Sequence, residues 1–283
     1  MGQIEKQSKD KKSLMDRLWV SIVAIPIVVA MVWFEGPWLT LLGVVWGMGG
    51  VWEFYHLVKH SKGLSPLTYF GMLWVGLLIA SPNFHSVNHF KDVSPTTMLL
   101  VSGVMLSLLI ILVRQGKENA FANWSWTMAG ILYVGWLLSF MVALRNVDDG
   151  RGWVFLAILC TFASDSSAYL IGRVLGKHKL APFISPKKTW EGSVAGVAGA
   201  IIASAIVVWI FKLPLNYWQA LTLGFIISLF GQLGDLVKSL FKRNMEVKDS
   251  GHILPGHGGF LDRMDSISFA GVVVYLFMAF ISG

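Results

Sequence analysis

Long apolar segments alternate with short polar ones along the 283 residues of the chain. Crossing the hydrocarbon core of a bilayer as a helix takes about 20 apolar residues. Segments of about that length lie at residues 18–34, 38–58, 66–81, 96–113, 121–144, 152–174, 192–211, 217–240 and 265–282. Backbone in lipid must satisfy its own hydrogen bonds, which favours helices, and no strand pattern competes. The pattern therefore predicts an all-α, polytopic integral membrane bundle of about nine transmembrane helices.

The composition agrees with a membrane location. Apolar and aromatic residues make up 55% of the chain and charged residues only 14%, with a mean hydropathy of +0.63. Soluble domains contain about 25% charged residues, so this chain is poor in the residues that cover a surface exposed to water. The single cysteine, Cys160, excludes an intrachain disulfide and a cysteine-based zinc site.

The positive charge is concentrated in alternate connecting segments. If the polar residues 1–17 are cytoplasmic, 19 of the 23 lysines and arginines fall on that side, within or beside segments 59–65, 114–119, 175–191 and 241–264. This bias follows the positive-inside rule and explains much of the net charge of +7 without nucleic acid. We therefore predict a cytoplasmic N-terminus and, for a bacterial source, the inner membrane.

The same topology divides the chain into three parts. Residues 1–17 form a polar cytoplasmic segment, 18–145 the N-terminal transmembrane helices, and 146–283 a C-terminal catalytic region with cytoplasmic loops 175–191 and 241–264. Gly-x-x-x-Gly spacings, which permit close helix contact, occur at 43 and 47, 172 and 176, and 192 and 196. They fit either intramolecular packing or a homodimer interface.

Acidic residues within the apolar segments are the first indication of chemistry. Glu53, Asp165 and Asp235 lie within or near the ends of these segments, where an unpaired charge costs roughly 2.5 to 3.5 kcal/mol. Such residues need a partner or a cation. For Glu53 we expect an interfacial ion pair with Lys59 or Lys62. Intramembrane acids also mark ion pathways, so a cation-coupled transporter is an alternative function.

A polar stripe leads from Asp235 out of the membrane. Lys238, Ser239 and Lys242 follow Asp235 at i+3, i+4 and i+7, which places them on one side of a helix. The stripe enters loop 241–264, where basic residues and acids surround the glycine cluster at 256–259. Mg²⁺ prefers a few carboxylates together with substrate phosphates, while lysine and arginine neutralise the remaining phosphate charge. This combination indicates phosphoryl or nucleotidyl transfer.

Loop 175–191 has a similar character. Asp165, Tyr169 and Arg173 share a helix face that leads into it. Lys187 and Lys188 follow; they fit either substrate phosphate or the headgroups of anionic lipids. Thr189, just before an apolar segment, is typical of a helix start.

The C-terminal residues resemble the signature of the phosphatidate cytidylyltransferases, also called CDP-diacylglycerol synthases. The matching residues span 27 positions and comprise Ser239, Lys242-Arg243, Lys248-Asp249, His257-Gly258-Gly259, Asp262-Arg263 and Asp265. Upstream, Asp165-Ser166-Ser167-Ala168-Tyr169 and Ser185-Pro186-Lys187-Lys188-Thr189-Trp190-Glu191-Gly192 are similar to a second block of that family. The resemblance covers about 120 residues at the C-terminal end.

The resemblance implies that CTP and phosphatidic acid react, with Mg²⁺, to give CDP-diacylglycerol and pyrophosphate on the cytoplasmic side of the bilayer. It implies that Asp235 and Asp262 are metal ligands, supported by Asp265 and Asp249, and that His257 contacts a phosphate or moves a proton. The residues expected to catalyse the reaction are Asp235, Asp262, Lys242, Arg243 and His257. The residues expected to bind substrate are Asp165, Ser185, Lys187, Lys188, Glu191, Ser239, Lys248, Gly258, Gly259 and Arg263.

Overall fold

The computed structural model describes residues 22, 24–34, 36–84, 93–114, 118–247, 250–251 and 259–282. The segment 1–17 lies outside these residues. The helices of the N-terminal half are α1 (Ala24–Trp33), α2 (Trp38–Lys62), α3 (Thr68–Ala80), α4 (Pro95–Val113), α5 (Ala120–Gly130) and α6 (Leu137–Arg145). Those of the C-terminal half are α7 (Gly150–Leu175), α8 (Trp190–Phe211), α9 (Tyr217–Asn244) and α10 (Asp265–Ser282).

These helices coincide in position with the predicted apolar segments. A π-helical stretch, Ile131–Trp136, joins α5 to α6, so that residues 120–145 form one continuous helix. Within the described part of the chain, five helices are long and apolar enough to cross a membrane: α4, α5 with α6, α7, α8 and α9. The all-α membrane class is therefore confirmed, whereas the number of crossings and the side of the N-terminus stay predictions.

One short antiparallel hairpin departs from the prediction that strands are absent. Strands β1 (Lys179–Ala181) and β2 (Ser185–Thr189) pair Lys179 with Thr189 and Ala181 with Ser185. They were missed because three and five residues are too few for a period-2 pattern to show. Thr189 then starts α8: its hydroxyl accepts a hydrogen bond from the Gly192 amide at 3.2 Å, as predicted.

Polar contacts at the ends of the helices fix which loops lie together. At one end, Arg114 after α4 donates to the Ser65 carbonyl, and the Ser65 amide donates to Asn123 in α5. At the other end, Asn146 and Asn83 hydrogen-bond to each other. Ser65 and Arg114 therefore lie at the same end of the bundle, as the charge pattern required.

The core lies where α2, α3, α6 and α7 meet, and it includes the fully buried Val51, Leu78, Leu144 and Leu156. The outward faces of α8 and α9 instead carry exposed apolar side chains such as Trp209 and Trp218, as expected for contact with lipid.

The Gly-x-x-x-Gly spacings serve packing within one chain. A side chain at residue 192 would bring its Cβ within 3.1 Å of the Gly172 α-carbon, so α7 and α8 approach closely only because both residues are glycine. Gly43 and Gly47 similarly face Ile79 of α3. The intramolecular interpretation is confirmed, and the homodimer stays a prediction.

Candidate active site

Lys238, on the last turns of α9, lies at the buried centre of a cluster of charges. Its side chain is 9% exposed. The Nζ atom lies 3.0 Å from Asp235 Oδ1 and 2.6 Å from Asp265 Oδ2, and it donates to the Asp262 carbonyl at 3.0 Å. One ammonium group therefore holds two carboxylates and the start of α10 together.

The close approach of α9 and α10 makes this arrangement possible. A Cβ at Gly234 would lie 2.9 Å from the Phe269 ring and 3.1 Å from the Asp265 carbonyl oxygen. Because residue 234 has no side chain, the first turn of α10 reaches the neighbouring Asp235. The acid predicted on α9 and the one predicted at the start of α10 thus share a single site.

The β hairpin adds a second lysine. Lys188 Nζ lies 2.6 Å from Asp235 Oδ2, the oxygen that Lys238 leaves free, and it approaches the Gln232 carbonyl at 3.4 Å. Lys187 precedes it on β2 and is exposed, because neighbouring side chains of a strand point to opposite faces. The hairpin thus directs one lysine into the cluster and leaves the other at the surface.

Asp262 forms a second ion pair beside the first. Its Oδ1 lies 2.6 Å from Lys242 Nζ, one turn after Lys238 on α9. Its Oδ2 accepts from the Ser250 amide at 3.1 Å and from the Ser250 hydroxyl at 2.9 Å. Burial by itself would raise the pKa of Asp262, but the hydrogen bonds from Lys242 and Ser250 outweigh it and hold the pKa below its ordinary value.

Asp165 of α7 faces the same cluster. It lies within electrostatic range of Asp235, Lys188 and Lys238. Among the residues that the structure describes, it has no hydrogen bond or ion-pair partner. A carboxylate in this position is available to a bound cation or to a lysine that moves.

Other predicted site residues lie around this cluster. Glu191 accepts from His178 Nδ1 at 2.6 Å and from the His178 amide at 3.2 Å, contacts that tie the hairpin base to α8. Arg243 donates from Nε to the Ile184 carbonyl in the hairpin turn at 3.3 Å. Ser239 lies on α9 between Asp235 and Lys242, and Ser185 begins β2.

Part of loop 241–264 lies outside the described residues. Lys248, Asp249, His257 and Gly258 lie outside the described residues, as does the side chain of Arg263. Their predicted roles stay predictions.

An apolar cavity of about 440 Å³ lies next to the charged cluster, between α6, α9 and α10. Its lining includes Phe230, Phe269, Val273 and Leu276. Phe269 follows Asp265 by one helical turn, so the cavity begins where the charges end. The region therefore offers cationic groups and a hydrocarbon surface side by side.

Comparison of the sequence with known proteins identifies its family. Residues 15–281 match the Cytidylyltransferase family. The chain belongs to this family. It is 35% identical over 244 residues to the phosphatidate cytidylyltransferase of Bacillus subtilis (strain 168), covering 84% of this chain and 88% of that protein.

The chain is similar to staphylococcal proteins of the same name. The phosphatidate cytidylyltransferase of Staphylococcus haemolyticus (strain JCSC1435) is 40% identical over 179 residues, covering 63% of this chain and 67% of that protein. That of Staphylococcus aureus (strain COL) is 37% identical over 195 residues, covering 69% and 73%. The family match begins in the N-terminal segment, so it extends well beyond the C-terminal residues that carried the resemblance.

The carboxylates of this cytidylyltransferase-family site suit a cation only in part. Among the described residues, no group of three or more histidine, cysteine, aspartate or glutamate side chains could hold a metal ion together. Asp235 and Asp265, however, meet at one ammonium group, and Asp265 Oδ2 is buried with Lys238 as its ion-pair partner. Asp235 and Asp262 each have a donor on both oxygens, but a carboxylate oxygen accepts more than one bond, so each can still contribute to a cation site.

Sequence reasoning missed three features of the site. Lys238 was recognised in the polar stripe but not as its centre, although its i+3 spacing from Asp235 was the available signal. Glu53 is fully buried, and neither Lys59 nor Lys62 is within ion-pair distance, so the expected interfacial ion pair is wrong. Tyr133, in the π-helical stretch, has a buried hydroxyl in electrostatic range of Asp235 and Asp265, and no sequence pattern indicated it.

Proposed function

We propose that this protein transfers the CMP group of CTP to phosphatidic acid, giving CDP-diacylglycerol and pyrophosphate. The observation that carries the proposal is the partly buried cluster of Lys188, Lys238 and Lys242 with three aspartates, next to an apolar cavity, in a chain of the cytidylyltransferase family. Relatives that align with most of this chain bear the name phosphatidate cytidylyltransferase. The substrates fit, because one is a lipid anion and the other a nucleotide anion.

The reaction needs no nucleophile from the protein. A phosphate oxygen of phosphatidic acid attacks the α-phosphorus of CTP, and a new phosphorus–oxygen bond forms. The bond from the α-phosphorus to the oxygen bridging to the β-phosphorus breaks, and pyrophosphate leaves with the electron pair. The protein must bring two polyanions together in line and neutralise their repulsion.

The lysines are suited to this task. Each already pairs with a carboxylate at 2.6 to 3.0 Å, so each can exchange a carboxylate oxygen for a phosphate oxygen without moving far. We assign Lys188 and Lys242 to phosphates of the two substrates, and Lys238 to holding Asp235 and Asp265 in place. Arg243, Lys248 and Arg263 are further phosphate ligands in this proposal, and His257 contacts a phosphate or moves a proton.

Magnesium is part of the proposal. Asp235 and Asp265 would hold it, with Asp262, Asp249 and the nearby Asp165 as additional acids. When bound, the ion would neutralise charge on the triphosphate and on the departing pyrophosphate. Substrate phosphates would complete its ligands, which is the usual pattern for Mg²⁺ in proteins.

The proposal also includes a location. Nine crossings, a cytoplasmic N-terminus and the excess of basic residues at one end of the bundle would place the charged cluster at the inner leaflet. CTP would reach it from the cytoplasm, while the acyl chains of phosphatidic acid stay in the bilayer. The bacterial relatives support the inner membrane as the location.

A single assay tests this function. Purified protein in mixed micelles is incubated with CTP, Mg²⁺ and phosphatidic acid, and both pyrophosphate and the liponucleotide are measured. We expect the two products in equal amounts, dependent on all three additions. Absence of the liponucleotide would refute the proposal. The cation-coupled transporter has no support from the relatives, and ion flux without CTP consumption would be needed to revive it.

A further inference from the structure

Glu53 of α2 contacts the segment that carries Asp262. Its side chain is 1% exposed. Its Oε1 accepts from the Phe260 amide at 3.1 Å, and its Oε2 accepts from the Leu261 amide at 3.0 Å. Buried amides at the start of a helical turn need such acceptors, and here a carboxylate from more than 200 residues earlier supplies them.

The two glycines that flank Glu53 leave space for its carboxylate. A Cβ at Gly251 would lie 2.6 Å from Glu53 Oε1, and one at Gly259 would overlap with Oε2. Any side chain at either position would collide with the carboxylate. Gly259 was predicted to bind substrate, but in this structure its α-carbon faces Glu53.

A whole face of α2 supports this segment. Trp46 Nε1 donates to the Phe260 carbonyl at 3.2 Å, and the rings of Trp46 and Phe260 meet edge to face. A Cβ at Gly50 would meet the sulfur of Met264. Trp46, Gly50 and Glu53 are spaced at i, i+4 and i+7, so they lie on one side of the helix. The contact of Glu53 is therefore one of several contacts between this side of α2 and residues 260–264.

Ser250 links Glu53 to the charged cluster. Its hydroxyl lies 2.9 Å from Asp262 Oδ2 and 3.4 Å from Glu53 Oε2. Asp262 in turn holds Lys242 at 2.6 Å. A continuous set of contacts thus runs from α2 through Ser250 and Asp262 to a lysine that we assign to phosphate.

We infer that Glu53 is a positioning residue for cytidylyl transfer: it fixes segment 259–262 against α2 and so sets the placement of Asp262 and Lys242. The expected effect on catalysis rests on the proposed function. The contact between Glu53 and segment 259–262 is independent of that function. Glu53 touches neither substrate, and its effect is transmitted through the segment that it holds.

The experiment compares Glu53→Ala, Glu53→Gln and Glu53→Asp with the exposed control Glu118→Gln. In Glu53→Gln the amide nitrogen can no longer accept, so one backbone donor loses its partner. We expect kcat to fall at least tenfold and the KM for CTP to rise at least fivefold in the Ala and Gln variants. We expect Glu53→Asp, which keeps both oxygens, to recover a large part of the loss. A mere loss of folded protein would lower kcat and leave the KM for CTP unchanged, and that outcome would overturn the inference.

A double-variant comparison and hydrogen exchange complete the test. Gly259→Ala should impair the enzyme through collision with Glu53, so adding it to Glu53→Ala should cause little further loss; full additivity would contradict the inference. In Glu53→Gln, the amides of Phe260 and Leu261 should exchange at least tenfold faster than in the parent protein. Unchanged exchange rates of these amides would overturn the positioning role of Glu53. If the parent protein formed no CDP-diacylglycerol from CTP, that result would refute the proposed function but not the contact.

Discussion

Replacing Lys238 by methionine tests whether its ammonium group holds the site together. The substitution preserves much of the side-chain volume but leaves Asp265, which is 6% exposed, without its ion-pair partner. Asp235 keeps Lys188 at 2.6 Å, so the uncompensated charge falls mainly on Asp265. Removing one partner of a buried ion pair costs about 3 to 5 kcal/mol. At about 2 to 4 °C per kcal/mol for a chain of this size, the Tm should fall by roughly 6 to 20 °C.

The assay is thermal unfolding of the purified variants in one detergent, with Lys62→Met as the matched control at an exposed lysine. A second variant, Lys238→Met with Asp265→Asn, removes the stranded charge and should regain a large part of the lost stability. If Lys238→Met unfolds within about 2 °C of the parent protein, or if the second substitution adds to the loss, the cluster is not held together in this way.

Three further predictions follow from the site. Lys188→Met should lower the rate of CDP-diacylglycerol formation at least tenfold, because Lys188 enters the cluster. The neighbouring Lys187→Met should lower that rate less than threefold, because Lys187 does not enter it. Equal effects of the two substitutions in a steady-state assay would contradict this prediction. Leu276→Trp should narrow the apolar cavity and lower the rate with long-chain phosphatidic acid more than with a short-chain analogue, and an equal change for both would exclude acyl chains from it. The pKa of Asp262 is lower in the folded protein than its value of about 3.9 in the unfolded chain. Its carboxylate therefore stabilises the fold when the pH is above the unfolded pKa, and this contribution disappears as the pH falls through the folded pKa. Denaturant unfolding should therefore show Asp262→Asn to be destabilised at pH 7 with a smaller difference at acidic pH, and a difference independent of pH would refute the argument.

The helices were predictable from the sequence because lipid imposes a simple rule on them. About 20 apolar residues in succession predict a helix without knowledge of its neighbours, and the predicted segments coincide with α1 to α10. Asp262 and Asp265 were also predictable, because their spacing matched a family signature, and Asp235 was predictable because it begins the polar stripe on α9. The structure brings the three carboxylates to one cluster.

The partners of these residues could not be predicted in the same way. The position of Lys188 depends on a hairpin too short to leave a pattern in the sequence. The environment of Glu53 depends on a segment 207 positions later, and local sequence offered Lys59 and Lys62 as nearer partners. Burial of Lys238 results from the absence of a side chain at Gly234, which becomes meaningful only once α9 and α10 are known to be adjacent.

The long separation between Glu53 and its partners has a consequence for biosynthesis. When α2 leaves the ribosome, the amides of Phe260 and Leu261 have not yet been made, so the carboxylate must enter the bilayer without them. Its two backbone donors become available only when residues 260 and 261 follow, near the end of synthesis. A nascent chain stalled before residue 260 would retain on α2 an acid that lacks both of these backbone donors.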